Sequence, residues 1–179
     1  MIDIKEITSP VKLDLVIAFS DLTFFSRLTH SKTMDELFQF LFDYYEFVGE
    51  IIENSGGTVI KFIGDAVLIS YPGELADNAV LGLRELINMG DSWLNDKGMN
   101  TRHIIKAHYG PVICGLVGTK GNKRVDIFGE TVNGAALLKS NGFAIAPQLF
   151  RKLSSDVRKL FKKHTPPISY IPIEERHKD

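Results

Sequence analysis

The chain has 179 residues, a formal net charge of -1, 44% hydrophobic and 24% charged residues. That length and balance suit one domain over residues 1–179 with a proper core, and they exclude the disordered and fibrous classes. A near-neutral charge is not that of a basic nucleic-acid binder, so no nucleic-acid partner is expected. The single cysteine, Cys114, excludes an intramolecular disulfide framework and a cysteine-based zinc site, and it fits a reducing, cytoplasmic setting. Residues 1–10 mix Asp3, Lys5 and Glu6 with aliphatics, unlike a signal peptide, and the apolar run 15–19 is too short to span a bilayer.

Residues 13–22 (LDLVIAFSDL) read as a buried strand. Thr33-Met34-Asp35-Glu36 is a capping box opening a helix. Met34, Phe38, Leu41, Tyr45, Val48 and Ile52 form its expected core-facing stripe, and Gly56-Gly57 stops it. Residues 58–62 and 66–71 are β-rich runs around Ile63-Gly64-Asp65, which makes them a hairpin. A second helix covers about 75–94, with Leu75, Ala79, Leu83, Leu86 and Ile87 on one side. Strands follow at 103–109 and 112–117, separated at Gly110-Pro111, and at 124–128. A helix over 131–139, a basic helix around 148–162 and a strand around 168–173 complete the chain. The order β-α-β-β-α-β with extra strands predicts a ferredoxin-like α+β fold, with helices on one face of a mostly antiparallel sheet.

Two aspartates stand where chemistry can use them. Asp21 ends the first strand and Asp65 lies in the hairpin turn, and in this topology the first strand runs beside the hairpin. Two such carboxylates suit Mg²⁺, which takes one or two carboxylates and leaves its other positions to phosphate and water. Lys61 and Asp126 read as solvated strand residues, and Asn133 as a helix cap. His103 and His108 are five apart on a strand and face opposite sides. Cys114 reads as a small buried residue. The basic residues Arg151, Lys152, Arg158, Lys159, Lys162 and Lys163 read as a solvated face.

Four motifs in register carry a resemblance. Phe19-Ser20-Asp21-Leu22-x-x-Phe25-Ser26, Lys61-Phe62-Ile63-Gly64-Asp65, the segment 107–118 (AHYGPVICGLVG) and Asp126-x-x-Gly129-x-x-Val132-Asn133-x-Ala135 occur in this order. Together they resemble the class III adenylyl/guanylyl cyclase catalytic domain over about 13–138. The resemblance implies that Asp21 and Asp65, with the Leu22 carbonyl, hold two Mg²⁺ or Mn²⁺ ions. It implies that Lys61 and Asp126 read the base of a nucleoside triphosphate, with adenine favoured. Asn133 would orient the ribose, Phe25 and Ser26 lie in the phosphate-facing loop, and Lys120 or Arg124 meets the terminal phosphates. It also implies a head-to-tail homodimer whose sites lie at the interface.

The sequence departs from the family pattern at three places. The usual V-N-x-A-x-R has Leu137 where the transition-state arginine stands. No K-G element precedes the last strands, and Lys162 and Lys163, before Thr165-Pro166-Pro167, are the nearest cations, with Lys163 taken as catalytic. Phe24 replaces a usual glycine. Two outcomes are expected from such a chain: an atypical cyclase with a substitute cation, or a nucleotide-binding regulatory domain without turnover. A pyrimidine nucleotide as substrate stays open.

Overall fold

The computed structural model describes residues 4–165 and 167–175; Asp3 and Pro166 lie outside them. Strand β1 (Val11–Leu22) is the centre of an eight-stranded sheet with β2 (Thr58–Ile63), β3 (Ala66–Pro72), β4 (His103–Thr119), β6 (Phe143–Ile145), β7 (Phe161–His164) and β8 (Ser169–Pro172), in the order β2-β3-β1-β4-β6-β8-β7. The remaining strand, β5 (Asn122–Phe128), pairs with β4. Pairing is antiparallel except between β4 and the three-residue β6. The first strand thus lies beside the hairpin, as the sequence predicts.

Side-chain alternation in β1 divides the core. Val16, Ala18 and Leu22 join a cluster built with α2 (Met34–Asn54) and α3 (Ala76–Asp96). Leu15 and Ile17 join a second cluster with Leu68, Val112, Cys114, Ile127 and Ala135. The strand is covered on both faces, which is why it reads as an unbroken apolar run. Ala135 belongs to α4 (Glu130–Leu137), so the sheet does not carry its helices on one face alone: α2 and α3 cover one side and α4 the other.

The start of α2 follows the sequence. Thr33 is its N-cap, the Glu36 N–H donates to Thr33 Oγ1, and the Thr33 N–H donates to Glu36 at 2.8 Å. The buried stripe differs from the expected one. Phe40, Tyr44, Val48, Ile51 and Ile52 are buried, whereas Met34 and Phe38 are 89% and 71% exposed. Aromatic and aliphatic residues surround this helix, so periodicity alone does not fix its rotation. Packing of Phe40 and Tyr44 against Trp93 of α3, at 5.8 and 6.2 Å between ring centroids, selects the row that turns inward.

Gly110-Pro111 does not break the strand, and β4 runs through it for seventeen residues. Opposite its β1 edge, β4 pairs with β6 at 105–107 and with β5 at 113–119. Pro111 falls between them, where a missing N–H costs no ladder bond. The pair instead seats α4: a Cβ on Gly110 would lie 2.8 Å from Thr131 Oγ1, and that hydroxyl donates to the Pro111 carbonyl at 2.8 Å.

The expected basic helix at the C-terminal end is two short ones, α5 (Pro147–Lys152) and α6 (Ser155–Arg158), followed by β7. Ser154 starts α6 by accepting from the Val157 N–H, and the Arg158 side chain donates back to the carbonyls of Phe150 and Arg151. These local bonds compete with a continuous helix.

Both glycines after α2 have a steric reason. Gly56 has φ +87°, and a Cβ on Gly57 would lie 2.6 Å from the Tyr71 ring. Gly57→Ala is expected to cost about 1–3 kcal/mol of stability, measured by denaturant unfolding; an unchanged midpoint would show that Tyr71 yields freely.

Candidate active site

Asp21 lies on the β1 face that α4 covers, one residue before buried Leu22. Asp65 follows Gly64, whose φ of +62° makes the two-residue β2–β3 turn. The two carboxylates meet over one backbone amide: Leu22 N–H donates to Asp21 Oδ1 at 3.1 Å and to Asp65 Oδ2 at 3.3 Å. Burial, then the hydrogen bond and negative charge of Asp21, push the Asp65 carboxyl up to about 6. Among the described residues neither carboxylate is in an ion pair, and no third acidic, histidine or cysteine side chain joins them. Two hard oxygen donors with uncompensated charge fit Mg²⁺ or Mn²⁺.

Helix α2 holds both sides of this pair through adjacent tyrosines. The Tyr45 hydroxyl donates to the Gly64 carbonyl at 2.7 Å, and its ring stacks on Phe62 at 3.8 Å. Burial and the nearby Asp65 charge raise the Tyr45 hydroxyl above its ordinary range. Tyr44 is fully buried, with its hydroxyl 3.2 Å from His103 Nε2. His103 stands opposite Leu22 in the β1–β4 register, and its Nδ1 and its N–H each lie 2.8 Å from Asp91 Oδ1.

The chain leaves β1 through Thr23 and Phe24 into α1 (Phe25–Thr29). Thr23 N–H donates to the Arg102 carbonyl at 2.9 Å and Arg102 N–H to Thr23 Oγ1 at 3.0 Å, tying the loop to the start of β4. Phe24 takes φ 57°, the left-handed region a glycine would occupy freely, and stays 62% exposed under the Arg27 guanidinium. The Phe25 ring turns toward Phe40 in the core, while Ser26 is exposed. Phe25 therefore offers this loop its backbone and not its ring.

Lys61 and Asp126 come from strands that are not neighbours in the sheet, yet they form an ion pair at 2.5 Å. Val125 and Ile127 share a cluster with Ile60, so the β4–β5 hairpin folds back across the α4 face to reach β2. The pair borders a cleft of about 630 Å³, also lined by Phe62, Val117 and Arg124. Lys61 and Asp126, expected as separate solvated side chains, are instead a paired donor and acceptor.

Asn133 is exposed on α4, and Leu137, at the end of the helix, is 81% exposed. The helix is seated by Thr131, by buried Ala135, and by Gly134, where a Cβ would lie 3.1 Å from His108. His108 is on this face and His103 on the other, as the alternation predicts, and Cys114 is buried. Lys120 is exposed at the β4–β5 turn, and Lys163 is exposed on edge strand β7. Lys162 donates to the carbonyls of Ile173 and Glu175. The structure thus joins Asp21, Leu22 and Asp65, and separately Lys61 and Asp126, while Asn133, Lys120 and Lys163 stand on other elements. Tyr45 escaped the sequence reading as part of a core stripe.

The family "Adenylate and Guanylate cyclase catalytic domain" matches residues 8–162, and the chain belongs to it. A receptor-type guanylate cyclase of Drosophila melanogaster is 30% identical over 162 residues, covering 84% of this chain and 10% of its own length. An adenylate cyclase of Dictyostelium discoideum is 29% identical over 128 residues, covering 68% of this chain and 6% of its own. The chain therefore spans only a small part of these relatives. A bacterial light-regulated adenylyl cyclase has the same fold, with a TM-score of 0.81 at 24% identity over 93% of this chain and 54% of its own. The adenylyl cyclase CyaB of P. aeruginosa gives 0.79 at 18% identity, covering 94% of this chain and 97% of its own.

The raised Asp65 carboxyl has a thermodynamic consequence. Between the ordinary value of 3.8 and about 6, the folded protein retains a proton that the unfolded chain has lost. The contribution of Asp65 to metal-free stability is therefore fully present below this window, lost as pH rises through it, and level above. Asp65→Asn should flatten that dependence and raise stability at pH 7 by about 1 kcal/mol or less, given the partial exposure. Thermal melts across pH 3–8 in chelator check this, and an unchanged profile in the variant would refute the assignment.

Proposed function

We propose that this domain converts ATP to 3′,5′-cyclic AMP and pyrophosphate, at sites shared across a head-to-tail homodimer. The observation that carries the reading is the meeting of Asp21 and Asp65 over one amide, with neither in an ion pair among the described residues. These carboxylates, with the Leu22 carbonyl, would hold two divalent cations. When bound, such ions lower the pKa of the ribose 3′-hydroxyl and neutralise charge on the triphosphate. The 3′-oxygen gives its proton to water and bonds to the α-phosphorus, while the bond from that phosphorus to the bridging α–β oxygen breaks and pyrophosphate leaves.

The remaining roles fall to the chain's own groups. Lys61 donates to adenine N1 and Asp126 accepts from the 6-amino group; their pairing at 2.5 Å sets donor and acceptor side by side at the cleft. Guanine presents the opposite pattern. The backbone at Phe25 and Ser26, with Lys120, faces the phosphates, Asn133 orients the ribose, and Lys163 is a further phosphate cation. A shared site is supported by what one copy leaves uncovered: Asn133 and Leu137 on α4, together with Leu116, Val117 and Phe128 on the β4–β5 hairpin. A second reading, a nucleotide-binding regulatory domain without turnover, is favoured by Leu137 alone.

The direct test is incubation of the purified protein with each of ATP, GTP, CTP and UTP plus Mn²⁺, with chromatography for a cyclic product. Cyclic AMP from ATP is expected, and a strong preference for another base would overturn the adenine reading. Asp21→Ala or Asp65→Ala should lower turnover by at least about 10³-fold while the circular dichroism spectrum is retained. Full activity in Asp65→Ala would remove the metal assignment. Mixing Asp65→Ala with Asn133→Ala should restore activity, because one intact site then forms per heterodimer. Failure to complement under conditions of proven subunit exchange would argue for a site within one chain.

A further inference from the structure

Leu137 leaves α4 without a charge one helical turn after Asn133, and neither side chain is buried. Another element delivers a cation to the same place. On β4, Ile105 and Ala107 turn into the cluster under α2 and α3, so Lys106 between them projects to the opposite face, beneath α4. There it pairs in register with Phe19, two residues before Asp21. Its stem is half-buried, and its Nζ emerges at the C-terminal end of α4, donating to the Ala136 carbonyl at 3.2 Å. Ala136 is the residue immediately before Leu137.

We propose that Lys106 is a catalytic residue, supplying from β4 the positive charge that position 137 of α4 lacks and contacting the reacting phosphate from beside Asn133. This rests on the reading of α4 as the helix that faces the nucleotide. The ammonium has three donors, of which the Ala136 carbonyl takes one. Among the described residues, Lys61, Lys97 and Lys159 are each held by a carboxylate, and Lys162 by two carbonyls. No carboxylate pairs with Lys106 within that set. An uncharged residue at 137 is also what permits this approach: an arginine there and Lys106 would place two cations at one helix end. The competing account is that Lys106 only caps the C-terminal end of α4, a role that contributes to stability and not to rate.

The test uses Lys106→Met, which keeps an apolar stem of similar length and removes the charge. Turnover should fall about 10²-fold, with KM and melting temperature nearly unchanged, because the contact strengthens in the transition state. Leu137→Arg should add no rate in the wild type but restore most of it in Lys106→Met. A wild-type kcat in Lys106→Met overturns the proposal, and a lowered melting temperature beside that unchanged rate identifies a cap alone. A loss of rate that Leu137→Arg does not repair, in a stably folded protein, also overturns it, since the two positions then do not serve one charge. Asp65→Ala with wild-type activity, or a wild type that makes no cyclic product from any of the four nucleotides, overturns the cyclase reading itself and Lys106 with it.

Discussion

Like charges held together are the constraint from which the site follows. Asp21 is carried by the central strand and Asp65 by a neighbouring hairpin, and both point at the Leu22 amide. Their mutual repulsion and partial burial favour a proton on Asp65 when nothing else neutralises them. A fold that keeps such a pair must restrain both carriers, and α2 does so from one side of the sheet. Tyr45 grips the turn before Asp65 and Tyr44 grips His103 opposite Leu22. An Asp91-His103-Tyr44 chain of hydrogen bonds, buried at His103 and Tyr44, is thus joined to the strand end where the carboxylates meet.

The two sheet faces divide the labour. The face under α2 and α3 holds most of the large buried side chains and gives the domain its stability. The other face is covered more thinly, by α4 and by the returning β4–β5 hairpin, and Asp21 and Lys106 lie on it. Close approach is built in at Gly110 and Gly134, where added Cβ atoms would meet Thr131 and His108. Those contacts set α4 low against β4, low enough for a strand lysine to reach the end of the helix.

The sequence foretold much of this because the informative residues are local. Thr33 and Glu36 announce the start of α2, Gly64-Asp65 announces the hairpin, and the four motifs in register carry the family. What escaped depends on contacts between distant segments. The rotation of α2 is decided by Trp93, sixty residues downstream of Thr33. Gly110-Pro111 looks like a turn until its partner Thr131 is in place. The three-residue β6 is too short to carry a periodic signal, and the break between α5 and α6 rests on one serine cap and one arginine. Lys61 and Asp126, 65 apart in sequence, look ordinary until the hairpin folds back.

The position of β2 at the rim of the sheet has a further outcome. Its hydrogen-bonded neighbour is β3 on one side, and the other side is open. Opening of an edge hairpin requires far less free energy than opening the central strand, where amide protons exchange with solvent only on global unfolding. Asp21 is thus carried by a strand paired on both sides and Asp65 by a hairpin at the rim. Opening at the rim would part the two carboxylates with the rest of the sheet intact, at a free energy below that of global unfolding.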